Sequence, residues 1–197
     1  MMDYNYKEYF IKTWLKWIIT AVVVLFLTIS AITTYNGLSA QEQKVQLQRS
    51  QVENVMQRRA DDLKNQVAVV KAYAKHEEKI FEDIEKTISV IYSSSDITSK
   101  LAADDQLSDF EEKLLELAQE YPELKSSEQF TNLQKSIEGS ENRVAQERRR
   151  FIEAVANYNM KVKRFPGNIF AKLMGFETMD YFKADNEALK SPDINLD

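Results

Sequence analysis

Cysteine is absent from this chain of 197 residues, and glycine (4), proline (3) and histidine (1) are scarce. Without cysteine there is no disulfide framework, no thiolate nucleophile and no cysteine-ligated zinc. So few turn formers argue against a strand-rich fold and for long helices. The isolated Gly37, Gly139, Gly167 and Gly175 make no phosphate-cradling loop. His76 is the sole base for a Ser-His-Asp relay, and its neighbours Lys75, Glu77, Glu78 and Lys79 mark a solvated face with a surface ion-pair role. A di-iron bundle would need Glu-x-x-His on two helices, but position 73 is Tyr and there is no second His. No catalytic, cofactor or metal site is expected, and the chain reads as a non-enzyme. With 26 Lys+Arg against 31 Asp+Glu, the net charge of -5 also weighs against a general nucleic-acid binder, and no nucleic-acid partner is expected.

One long apolar run stands out. Residues 17–35, WIITAVVVLFLTISAITTY, contain no charge, Pro or Gly, close to the roughly 20 residues a helix needs to cross hydrocarbon. This predicts a transmembrane helix preceded by a short segment, 1–16. Its length and the poor cleavage sites around Ser30-Ala31-Ile32 and Leu38-Ser39-Ala40 argue against a removed signal peptide. Tyr4, Tyr6, Tyr9, Trp14 and Trp17 before it, and Tyr35 after it, fit aromatic belts at the two interfaces. Lys7, Lys12 and Lys16 precede the span while Lys44 and Arg49 follow it, a slight lean toward a cytoplasmic N-terminus and a body outside, in the periplasm. Small-xxx-small spacing is not obvious in the span, so association is expected to come from the body.

The body, 36–165, reads as an elongated antiparallel helical bundle, which makes the fold all-α. Val45, Val52, Met56, Leu63, Val67, Val70, Ala74, Phe81, Ile84, Ile88 and Ile91 form one apolar stripe. No breaker interrupts it, so a single helix about 75 Å long is expected to run past His76 to Ile91. Ser93 to about Ala103 reads as a loop. A second helix, with Leu107, Phe110, Leu114, Leu117 and Ala118 on one face, would be capped by Asp104 or Asp105 and end at Tyr121-Pro122. A third, from near Ser127 to Arg164, carries Phe130, Leu133, Ile137, Val144, Phe151, Val155, Tyr158, Val162 and Phe165, with Pro166-Gly167 breaking it. None of these helices can bury its stripe alone, hence the bundle.

After the break, 166–182 is too apolar to dangle in water: Ile169, Phe170, Leu173, Met174, Phe176, Met179, Tyr181 and Phe182 crowd into it. It could plug the end of the bundle, meet a partner or lie on the bilayer. Residues 183–197 read as a polar, disordered tail. Charge is segregated along the body. From Glu141 to Lys172 eight basic residues oppose three Glu, a local +5, whereas from Asp104 to Glu123 eight acidic residues oppose Lys113, a local -7. These stretches could neutralise each other inside one bundle, join neighbouring subunits, or set the basic part on anionic lipid. If the first helix is unbroken, the basic end of the third is distal to the membrane; if the chain reverses near His76, that end returns beside the anchor. Arg58-Arg59 with Asp61-Asp62 forms a patch that could pair with a rotated copy of itself.

The span, then Tyr35-Asn36-Gly37-Leu38, Gln57-Arg58-Arg59-Ala60-Asp61-Asp62-Leu63 and Tyr73-Ala74-Lys75-His76-Glu77, together resemble the LemA family. Later landmarks follow in the family's order: Tyr121-Pro122-Glu123-Leu124-Lys125, Phe130 with Leu133, Glu141-Asn142-Arg143, Asn157-Tyr158-Asn159, Phe165-Pro166, Gly175-Phe176 and Tyr181-Phe182. The ordered set is specific although no single motif is. Relatives usually follow the Arg-Ala-Asp step with a Leu-Ile-Pro-Asn-Leu type run; here Asp62-Leu63-Lys64-Asn65-Gln66 lacks Pro, which implies a straighter first helix. The resemblance implies a single-pass bacterial membrane protein with a helical bundle, and it adds no catalytic residues. One branch of the family is associated with magnetosome membranes, and the family's N-terminus is often placed outside, opposite to the lysine count.

The expected function is a non-catalytic scaffold anchored in the bacterial cytoplasmic membrane, self-assembling to organise or shape it. The alternative is a monomeric tether or adaptor recruiting a membrane or envelope protein through its bundle or apolar tail. Membrane lipids and further copies of the chain are the expected partners. Candidate contacts are Arg58, Arg59, Asp61, Asp62, Arg148, Arg149, Arg150, Phe170, Phe176, Tyr181 and Phe182.

Overall fold

The computed structural model describes residues 3–181. Over these it is all helical, with α1 (Asp3–Lys71), α2 (Glu78–Ser93), α3 (Ile97–Glu120), α4 (Pro122–Lys125), α5 (Glu128–Lys163) and α6 (Gly167–Leu173). No strand occurs among the described residues. They divide into two compact units, one of 3–44 with 155–180 and one built on 45–154.

In the first unit, α1 carries its apolar run without interruption and passes through Asn36 and Gly37 as helix. Proline, the residue that would break it, first occurs at position 122. None of the most apolar 18-residue window of α1 is buried, and the window is long enough to cross a bilayer. Inside that run, the hydroxyls of Thr20, Thr28 and Thr33 donate to the carbonyls of Lys16, Val24 and Ile29 at 2.9, 2.8 and 2.9 Å. Polar groups in an apolar setting are thereby satisfied within the helix itself.

The end of α5 and the start of α6 meet the far end of this run. Lys161 Nζ reaches the carbonyl of Gly37 at 3.4 Å, and a Cβ on Gly167 would stand 3.6 Å from Thr34 Cγ2. Rising residue numbers on α5 meet falling ones on α1, so the two run antiparallel here. α6 closes with the bonds of a Schellman motif: Phe176 N donates to the Ala171 carbonyl at 2.9 Å and Gly175 N to that of Lys172 at 3.4 Å. Gly175 takes φ 79, a left-handed value that favours glycine. That turn sends Phe176 back to α1, edge-on to Tyr35 at 5.8 Å between centroids.

In the second unit α1 ends at Lys71, short of the Ile91 that an unbroken stripe implies. Residues 72–77 form a tight reversal, held by Tyr73 N to the Val70 carbonyl at 3.0 Å and Ala74 N to the same oxygen at 2.9 Å. It uses no glycine, and no described non-glycine residue takes a positive φ. The reason lies in packing. Phe81, Ile84, Ile88 and Ile91 of α2 continue the stripe of α1, and folding back lets both be buried along with Leu63, Val67 and Val70. At about 1.5–3 kcal/mol for each large side chain, this outweighs the local preference to continue the helix. Tyr92 donates to Asp61 at 2.5 Å and Arg49 to the Ser95 carbonyl at 2.7 Å, which runs α2 antiparallel to α1.

The connection to α3 is also shorter than a loop to Ala103. Asp96, rather than Asp104 or Asp105, is the cap, accepting from Thr98 N at 3.2 Å and Ser99 N at 2.9 Å. α3 therefore begins eight residues earlier than a cap at Asp104 would start it, and Asp104 is released for another role. α3 ends at Tyr121-Pro122, and α5 begins with the Ser127 hydroxyl accepting from Phe130 N at 3.1 Å, both close to expectation.

Candidate functional site

Asp104 and Glu111 lie two turns apart on α3, each one turn from Leu107, which puts both carboxylates on its buried face. Arg59 lies between Met56 and Leu63 on the buried face of α1 and meets them. Its Nη2 and Nε donate to the two carboxylate oxygens of Glu111 at 2.6 and 3.2 Å, Nη1 donates to Asp104 Oδ2 at 3.3 Å, and Nη2 also reaches Ser108 Oγ at 2.9 Å. The Arg59 side chain is 2 % exposed, and those of Asp104 and Glu111 are 2 % and 5 %. From α5, Arg148 donates to the same Asp104 oxygen at 2.9 Å and to Asp105 Oδ1 at 2.6 Å, so one carboxylate ties three helices.

Burial pulls the Arg59 pKa down, but the Glu111 hydrogen bond and the charges of Asp104 and Glu111 outweigh it and hold the guanidinium above its ordinary value. Burial pushes the Asp104 carboxyl up, with Arg59 and Arg148 offsetting only part of that rise. Burial does the same to Glu111 against its bond to Arg59. This cluster is a clamp between helices.

The remaining sequence-chosen contacts fall in several places. Arg59 is not a surface residue, so it is removed from the set available to a second subunit. Arg58 is exposed. Asp61 accepts from Tyr92, and Asp62 is half-buried and accepts from Ser136 at 3.2 Å. The Asp61 bond, followed by burial, raises the Tyr92 phenol to about 12. Arg148 is spent within the unit, Arg150 pairs with Glu147 at 2.7 Å, and Arg149 is exposed. Phe170 and Phe176 are half-buried in the first unit, Tyr181 is exposed, and Phe182 lies outside the described residues. His76 sits exposed in the 72–77 reversal.

Two features escaped the sequence. Asn159 Nδ2 donates to the Met179 carbonyl at 2.7 Å and its Oδ1 accepts from Met179 N at 2.9 Å, stitching the segment after α6 to α5. The other is a groove of about 320 Å³ at the α1–α5–α6 junction, where Lys161 and Arg164 face Thr33, Thr34 and Leu38. An Asn on an apolar stripe was a usable signal for the first; the groove depends on the chain reversal and had none.

The described residues form an all-helical protein with a long apolar N-terminal helix and charge-clamped helices. The LemA family model matches residues 48–196, most of the chain, and the protein belongs to that family. The apolar run of α1 lies ahead of the matched region. Magnetosome protein MamQ of Magnetospirillum gryphiswaldense is 27 % identical over 70 residues, which cover 36 % of this chain and 26 % of that protein. Magnetosome protein MamQ 2 of Paramagnetospirillum magneticum is 27 % identical over 71 residues with the same coverage. The similarity thus spans about a quarter of the length of these curated relatives. Family, helical architecture and an apolar helix fit for a membrane together define a membrane-associated protein.

Proposed function

We propose that the protein is a non-catalytic helical scaffold, anchored in the cytoplasmic membrane by α1, that self-assembles and organises or shapes that membrane. The anchor is supported by the apolar window of α1, which is wholly unburied and long enough to span. Large hydrophobic side chains exposed along one helix in water would be a liability, and lipid removes it. Self-assembly is carried by one observation in the second unit. Asp109, Glu112, Glu116 and Glu120 are exposed at spacings of three and four on α3, and none forms an ion pair among the described residues. Arg143 and Arg149 on α5 are likewise exposed and outside the Arg148 clamp. An acidic stripe and free arginines on one body suit a contact with a second copy. The name of the MamQ relatives, magnetosome proteins, supports a role in building a cellular structure.

The second reading, a tether that recruits another protein, is favoured by the exposed Phe165, Ile169 and Leu173. The two separate on mass. Full-length protein in mild detergent should form a defined oligomer at low salt that weakens at high salt. A uniform monomer at both salts would remove the scaffold and leave the tether.

A further inference from the structure

The groove lined by Thr33, Thr34, Leu38, Lys161, Arg164 and Phe165 stands where the apolar run of α1 gives out. From Trp17 to Thr34 the helix rises about 26 Å, close to the ~30 Å of a hydrocarbon core, which sets the groove at headgroup depth. Among the described residues no carboxylate lines it. Lys161 is held there by the Gly37 carbonyl, and Arg164 forms no ion pair among the described residues. Lys163 and Lys172 add positive charge on the same unit, and all four cations are exposed. Beside them Phe165 is 75 % exposed and Leu173 82 %, with Ile169 and Met160 exposed as well. Cations next to bare apolar side chains match a molecule with an anionic head and hydrocarbon tails. A soluble anion would leave the apolar half uncovered.

We propose that this groove binds the headgroup of an acidic phospholipid of the bilayer. Lys161 and Arg164 take the phosphate, the acyl chains descend along the unburied face of α1, and Phe165 and Leu173 enter the interface. The site rests on the reading of α1 as a membrane anchor. It goes beyond that reading in assigning lipid selectivity to residues at the far end of α5.

The full chain carries the test. Intact-mass measurement in detergent, with equal phosphatidylglycerol and phosphatidylcholine supplied, should show one phosphatidylglycerol retained roughly tenfold in preference. Lys161→Gln with Arg164→Gln should abolish that preference, whereas Lys64→Gln with Lys135→Gln, an equal loss of charge at exposed sites on the second unit, should leave it intact. Millimolar inorganic phosphate should not displace the lipid. Equal retention of both lipids, displacement by phosphate, or no difference between the two double variants would overturn the proposal. Flotation of the wild type with phosphatidylcholine vesicles reads the anchor separately: a chain that does not float has lost the anchor reading, and one that floats without lipid preference has lost only this site.

Discussion

Arg59 and Arg164 are both arginines on long helices, and the two units put them to opposite uses. In the second unit Arg59 is shut inside with two carboxylates, so its charge serves the packing of one helix on another. In the first unit Arg164 stands in an open groove with no described acid lining it, and its charge faces out of the chain. The difference follows from what each helix can bury. α1 between Met56 and Leu63 is enclosed by α3, and a guanidinium there survives only if its donors are met. At the end of α5 the apolar surroundings are themselves exposed, and no such constraint applies.

That contrast can be broken by mutation. Arg59→Ala leaves Asp104 and Glu111 buried without their main partner and should cost about 3–5 kcal/mol, read as a lowered urea midpoint of the full chain in detergent. Lys161→Ala with Arg164→Ala should change the same midpoint by less than about 0.5 kcal/mol. Equal losses in the two variants would erase the distinction between clamp and groove.

A smaller and more local effect is expected at Asn159. Its side chain makes two bonds to the backbone of Met179, so Asn159→Ala should cost about 1–2 kcal/mol. It should speed amide exchange over 175–181 while leaving α2 and α3 protected. Uniform exchange changes across both units would contradict a local stitch.

The smallest effect is the Tyr92–Asp61 bond. Because the folded phenol sits at about 12, above its ordinary value near 10, the stabilisation it brings is complete below about 10 and fades as pH rises through about 12. Ultraviolet titration should place Tyr92 near 12, and Asp61→Asn should bring it down. An unchanged titration would show that the bond does not hold in solution.

Much of this architecture was legible from periodicity and punctuation. The apolar run, the stop at Tyr121-Pro122, the start near Ser127 and the break at Pro166-Gly167 are local signals, and the structure follows them. The reversal at 72–77 was not legible because no residue there forces a turn; what demands it is the burial of two stripes against each other, a property of the folded chain. Its consequence is large, since the basic end of α5 comes back to α1 beside Gly37 instead of lying far away. The clamp was half legible. Arg59, Asp104 and Glu111 each occupy positions three or four residues from Met56, Leu63, Leu107 or Leu114, on the stripes themselves, and charges so placed must be paired. Reading Asp104 as a cap and Arg59 as surface missed that. The groove was hidden because its walls come from residues more than 120 positions apart, as Gly37 and Lys161 are.

Self-association through the charges left outside the clamp should respond to a charge swap between α3 and α5. The mass of full-length chains in mild detergent at low salt would be measured for Glu112→Arg with Glu116→Arg, for Arg143→Glu with Arg149→Glu, and for their mixture. Each variant alone should be monomeric, and mixing should restore a complex that contains both, because the swapped α3 of one then meets the swapped α5 of the other. Variants that assemble as the wild type does, or a mixture that stays monomeric while the wild type assembles, would contradict it.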